Sequence, residues 1–223
     1  MMKLYIHPAS TMCRPVRLFS AEHALPVKEQ VVDLLAGEHR QDAYTALNPN
    51  RLVPMLEDGD FRLTESSAIL KYLAAKFELR EYPRELRRRA RVDEAMDWFN
   101  TQFLREYGHN WVFPQLFPRH RRPTHELNAG TVAWGKARAR VWLGLLDTHY
   151  LARNRYVAGD TVTIADYFGS CLVTAGHLIG CRFEAYPRIE SWLAAMKELS
   201  SWASVNEPMY ALARLFEDRE FDR

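Results

Sequence analysis

Asn48-Pro49-Asn50-Arg51-Leu52-Val53-Pro54-Met55 is the stretch whose reading decides the fold, together with Leu63-Thr64-Glu65-Ser66-Ser67-Ala68 just after it. A proline opening a strand cannot donate to the sheet, so Pro54 belongs at an edge or a boundary. An X-Pro bond also tolerates the cis form at modest cost, and cis turns the chain sharply. Such a turn leaves the backbone N–H and C=O of Val53 facing outward, free to pair with an extended peptide as an added strand would. A plain edge strand opening with proline explains the same residues. Between the two stretches, Met55-Leu56-Glu57, Asp58-Gly59 and Phe61-Arg62-Leu63 read as a hairpin, because Asp-Gly suits a tight turn.

The second stretch joins a strand to a helix. The first N–H groups of a helix have no internal partner, and its dipole is positive there. A carboxylate would be held by the N–H and hydroxyl of Ser66, and a cation by Glu65 beside it. Together they suit an α-amino acid head group. The alternative is a simple helix cap by Thr64 or Ser66.

Outward from this centre, the first eighty residues alternate strands and helices. Leu4-Tyr5-Ile6 is a strand, Met12 to His23 a helix with Pro15 in its first turn, Val27 to Asp33 a strand, and Gly37 to Leu47 a short helix or helical loop. From Ser66, apolar Ile69, Tyr72, Leu73 and Phe77 fall at helical spacing. The order is β-α-β-α-β-β-α. Glu78 to Arg89 is charged, contains Pro83, and reads as a linker that becomes a solvated helix start. Beyond it strand signals stop. Val92 to Tyr107, Leu127 to Tyr150, Thr163 to Ile179 and Ile189 to Ser201 read as helices, and Thr163-Ile164-Ala165-Asp166 is a capping box with Val162 and Tyr167 at the staple positions. The expected organisation is an α/β domain over residues 1–80, a linker over 81–90 and an all-helical domain over 91–223.

The chain has 223 residues, ample for two small domains, and its 48% apolar and 26% charged content is ordinary for a globular protein. A net charge of +2 calls for neither nucleic acid nor a membrane surface. The three cysteines are odd in number and lack a C-x-x-C, so no disulfide framework or thiol zinc site is suggested, and no metal is expected. A reducing compartment, no signal peptide, no membrane span and a cytoplasmic location are the expectation.

Pro8-Ala9-Ser10-Thr11-Met12-Cys13-Arg14 places a Ser-Thr pair between the first strand and the first helix. No G-x-S-x-G surrounds Ser10, so it is weak as a nucleophile. As a hydrogen-bond donor to an anion at a helix N-terminus it is plausible, and an N-cap serine is the plainer alternative.

Strand–Ser–helix, then N-P-x-x-x-V-P, a D-G hairpin, L-T-E-S-x-A-I-L and a helical half with a T-x-x-D box resembles the cytosolic glutathione S-transferases over essentially the whole chain, and most closely their serine-type theta, delta and bacterial kinds. Tyr186-Pro187-Arg188-Ile189-Glu190-Ser191-Trp192 is similar to that family's last packed helix. The resemblance implies a thioredoxin-like first domain with a cis Pro54. Val53 would pair with the cysteinyl backbone of glutathione. Glu65 and Ser66, with Ser67 in addition, would hold its γ-glutamyl head. His39 and Arg51 would reach its glycyl carboxylate, although His39 also suits a plain surface position. Leu52 departs from relatives that carry a basic residue there.

By the same resemblance Ser10 would be the catalytic residue, donating to the glutathione sulfur. The magnitudes allow it. A thiol of pKa ~8.5 is a few per cent thiolate at neutral pH, and lowering it by ~2 units takes about 2.7 kcal/mol. A hydrogen bond to a charged group supplies roughly 1.5–3 kcal/mol and a helix N-terminus roughly 0.3–1 more. Related proteins with a catalytic cysteine carry it where Thr11 falls, so mixed-disulfide chemistry is disfavoured, and Cys13 reads as a packed residue. The second domain would supply the pocket for a hydrophobic electrophile, with Thr11, Phe103, Tyr107 and Trp111 as its expected lining; ordinary core packing is the plainer reading of those aromatics. Asn100, Thr101 and Arg105 are further candidates near a homodimer interface. The implied function is a glutathione transferase. The alternatives are a non-catalytic binding or regulatory protein on the same fold, and a glutathione-dependent disulfide reductase or peroxidase.

Overall fold

A computed structural model describes residues 1–223. Strands β1 (Met2–Ile6), β2 (Val27–Val31), β3 (Met55–Asp58) and β4 (Phe61–Thr64) form one sheet in the order β2-β1-β3-β4. β1 and β2 are parallel, with Ile6 opposite Val31. β1 and β3 are antiparallel, with Tyr5 opposite Met55, and β3 and β4 likewise, with Met55 opposite Thr64. Leu4, Ile6, Met55 and Leu56 are fully buried, as are Val16, Leu18 and Phe19 of α1 (Arg14–Glu22) and Ile69, Leu70 and Leu73 of α3 (Ser66–Lys76). α2 (Asp42–Leu47) completes the β-α-β-α-β-β-α order.

The register sets the position of every loop that matters. The C-terminal ends of β1, β2 and β4 and the N-terminal end of β3 all lie at one end of the sheet. The loops 7–13, 32–41, 48–54 and 65–66 therefore gather there.

The connection to the helical half is partly helix. Glu85 accepts from Arg87 N at 2.8 Å and Arg88 N at 2.9 Å, and this cap starts α4 (Leu86–Trp98). Lys71 on α3 pairs with Asp93 on α4 at 2.7 Å, and Ile164 N donates to Glu81 O at 3.0 Å. The axis of α4 runs on as an i→i+5 helix over Phe99–Val112 into α5 (Phe113–Leu116). α6 (His125–Leu145), α7 (Ile164–Val173), α8 (Pro187–Lys197) and α9 (Trp202–Arg214) complete the half. Thr163 and Asp166 form the expected capping box, and Asp166 also accepts from Val157 N and Trp192 Nε1, each at 2.9 Å. Gly169 allows α7 to press on Phe99, whose ring would lie 2.3 Å from an added Cβ.

Candidate active site at the end of the sheet

Ser10 follows β1. Its N–H donates to His7 O at 2.9 Å, and its carbonyl accepts from Cys13 N and Arg14 N, both at 3.1 Å, which launches α1. No side chain caps α1, so the hydroxyl of Ser10 is not taken up as an N-cap. Cys13 is fully buried, and burial pushes its thiol up to about 11 despite the Ser10 hydroxyl and the His7 backbone beside it. A thiol so raised stays protonated at neutral pH and is a poor nucleophile, so Cys13 packs.

The Val53–Pro54 bond is cis. The turn before it is tied from within: Leu52 O accepts from Tyr44 Oη at 2.7 Å and Asn48 Nδ2 at 2.8 Å, and Arg51 N donates to Asn48 O at 3.0 Å. Strand pairing ends at Met55. The N–H and C=O of Val53 make no hydrogen bond within the chain. A main-chain donor and acceptor left open side by side at a strand's start can accept an extended peptide.

Glu65 has φ +66°, a left-handed conformation costly for a side chain of its size, and Arg51 has φ +57°. Such strain is concentrated where a site demands it. α3 begins at Ser66 without any side-chain cap, so the simple capping reading of Thr64 or Ser66 is not realised. The first N–H groups of α3 point out at the end of the sheet beside exposed Glu65 and buried Ser66, with Ser67 half-buried next to them. The arrangement offers a positive helix end and a carboxylate side by side.

His39 sits on the single turn Glu38–Arg40 and is only 6% exposed, so it is not the surface histidine of the plainer reading. Its Nδ1 is buried without a partner. Burial, and then the charges of Arg40 and of Arg119 from the second domain, lower its pKa. The lowered pKa keeps the imidazole neutral near neutral pH, with Nδ1 closed off from solvent, and a carboxylate placed beside the ring would raise that pKa again. Arg51 is exposed and has no carboxylate partner.

The aromatic residues of the second half require a correction. Phe103, Tyr107 and Trp111 are 0%, 1% and 4% exposed. Phe103 stacks on Tyr107 at 4.7 Å, Tyr107 Oη donates to Val173 O at 2.7 Å, and Trp111 Nε1 donates to Asp222 O at 2.7 Å. They pack in the core, with the polar atoms of Tyr107 and Trp111 hydrogen-bonded within the chain, and do not line an open acceptor pocket. Thr11 is also buried but lies in the Ser10 turn itself. Thr101 and Arg105 are exposed on the outer face of the same helical run, and Arg105 pairs with Glu106 at 2.9 Å. Two residues escaped the sequence reading: Arg119, whose charge reaches His7 and His39 across the domain boundary, and Arg14, fully buried one turn beyond Ser10. Only the three-dimensional meeting of the two halves reveals either.

This geometry has counterparts. The family model for the N-terminal domain of glutathione S-transferases matches residues 4–81. Human glutathione S-transferase theta-1 is 34% identical over 198 residues, covering 86% of this chain and 80% of that protein. The chain belongs to the glutathione S-transferase family. The mouse glutathione S-transferase theta-3 is 31% identical over the same shares of the two chains. Among solved structures, human glutathione S-transferase T1-1 without ligand superposes with a TM-score of 0.83 at 31% identity, over 96% of this chain and 91% of that one. Human theta-2, solved in complex with glutathione, superposes with a TM-score of 0.85 at 25% identity, over 100% and 93%. The expected fold, a thioredoxin-like domain followed by a helical one, is that of the glutathione S-transferases. The protein is a glutathione S-transferase. No helix is long and apolar enough to cross a membrane.

Proposed function

We propose that the end of the sheet binds glutathione in an extended form and that Ser10 donates its hydroxyl hydrogen to the sulfur. The observation that carries this reading is the open peptide group of Val53, flanked on one side by the Ser10 turn and on the other by the uncapped start of α3. The cysteinyl backbone pairs with Val53. Glu65 takes the γ-glutamyl ammonium, and the N–H groups and hydroxyls of Ser66 and Ser67 take its carboxylate. His39 and Arg51 meet the glycyl carboxylate.

In the reaction the thiol loses its proton to solvent, and the thiolate, held by Ser10 and the start of α1, attacks an electrophilic carbon of an apolar substrate. A C–S bond forms, and the bond to the leaving group breaks with its electron pair going to that group. Thr11, beside Ser10, is the remaining expected residue for the acceptor side. No metal is invoked in any step. Self-association as a homodimer and a cytoplasmic location belong to the same reading. Trp134 and Val141, 62% and 52% exposed on α6, support self-association.

The test is conjugation of glutathione to a model aryl halide by the parent and by Ser10→Ala across pH. Loss of one charge-assisted hydrogen bond raises the apparent thiol pKa by about 1–2 units and slows turnover near neutral pH about 10- to 100-fold. Unchanged activity and an unchanged pH profile in Ser10→Ala would exclude the role.

A further inference from the structure

Arg14 is the largest charged side chain fully withdrawn from water in this protein. Its guanidinium crosses from the first domain into the second. Nη1 donates to Asn206 Oδ1 at 2.8 Å and to Thr174 Oγ1 at 3.2 Å, and Nη2 donates to the carbonyl of Cys171. The acceptors are themselves held: Thr174 Oγ1 donates to Ser170 O at 2.7 Å, and Asn206 Nδ2 donates to Trp202 O at 2.9 Å. Its titratable neighbours are Cys171, Tyr107 and Tyr210, and no carboxylate pairs with it. Nε is buried with no partner at all.

A buried cation without a counterion is a poor way to stabilise a fold, and an apolar side chain of similar volume would serve stability as well or better. Its place in the chain explains its presence. The N–H of Arg14 donates to the carbonyl of Ser10 at 3.1 Å, so the backbone that orients the Ser10 hydroxyl is bonded directly to the residue anchored in α7, the turn after it, and α9.

We propose that Arg14 is a positioning residue, whose planar fork clamps the Ser10 turn to the second domain and so sets the hydroxyl against the sulfur. The proposal rests on the Ser10 reading above. The clamp also makes thiol activation depend on how the domains sit together.

The test uses three variants that trim the clamp without emptying the core. Asn206→Leu and Thr174→Val each remove an acceptor, and Arg14→Lys keeps the charge while losing the fork. Folded fraction is checked by circular dichroism. The apparent pKa of the bound glutathione thiol is read from thiolate absorbance in the ultraviolet, and kcat and KM for glutathione are measured at neutral pH. The expected result for Asn206→Leu and Arg14→Lys is a thiol pKa raised by about one unit and kcat lowered about tenfold, with KM within about twofold of the parent. In a Ser10→Ala background the same substitutions produce no further pKa change, because the route runs through that hydroxyl.

A lower melting temperature with parental pKa and kcat per folded molecule would overturn the proposal, reducing Arg14 to packing. Additive pKa shifts in the Ser10→Ala background would overturn it too. A parental pKa in Ser10→Ala itself would instead sink the Ser10 reading, so the two failures are distinct.

Discussion

His39 concentrates the residue-scale physics of the site. In the proposed site the imidazole meets the glycyl carboxylate, and a hydrogen bond to a charged group is worth roughly 1.5–3 kcal/mol. His39→Gln should therefore raise KM for glutathione about 10- to 100-fold with little change in kcat, as initial-rate kinetics would show. The sign of the pH effect follows from the environment. His39 titrates below its usual value in the free protein, and a bound carboxylate raises it. Binding that takes up a proton tightens as pH falls through that window. At this scale much was legible in the sequence. Local chemistry marks Pro54 as opening a strand and Ser66 as starting a helix, and both are there, while the roles of Val53, Glu65, Ser66 and Ser10 come from their shared spacing and the family resemblance. The burial of His39 was not legible, since Gly37-Glu38-His39-Arg40 is polar throughout and only the fold covers it. Phe103, Tyr107 and Trp111 misled for the opposite reason. Four-residue spacing of aromatics marks a buried helix face and says nothing of whether a cavity adjoins it.

Among the elements, α7 carries the clearest test. Asp166 is fully buried and accepts from Thr163, Val157 and Trp192, yet burial pushes its carboxyl up to about 6. A carboxyl raised above its unfolded value of ~3.9 binds protons more tightly when folded, so its contribution falls as pH rises from about 4 to about 6 and is level above. Asp166→Asn should lose about 1–3 kcal/mol by leaving donors unmet, and the loss should be greatest at the acid end of that window. Urea titrations of both proteins at several pH values measure the difference. Gly169→Ala drives a methyl into Phe99 and should cost about 1–3 kcal/mol, read from the same titrations. The order of elements and the capping box were legible because apolar period and turn chemistry are local. The i→i+5 run over Phe99–Val112 was not, because no residue type specifies it; its aromatic face packs on α7, with Phe99 against Gly169 and Tyr107 Oη donating to Val173 O.

For the whole molecule, the sheet register and the domain boundary do what no single motif can. The register brings four loops to one end of the sheet, Arg119 brings charge across the boundary to them, and Arg14 carries its guanidinium the other way, into the second domain. The outer face of α6 leaves Trp134 and Val141 in water, so the double substitution Trp134→Glu and Val141→Glu should break the proposed self-association, read as a lower sedimentation coefficient in analytical ultracentrifugation. The central claim, that the end of the sheet is a glutathione site, is tested most directly by the melting temperature of the parent protein with and without glutathione. A ligand that binds only the folded state at about 100 times its Kd adds about 2.7 kcal/mol. For a protein of this size that is a rise of several degrees at millimolar glutathione. A melting temperature unmoved by millimolar glutathione would contradict the site.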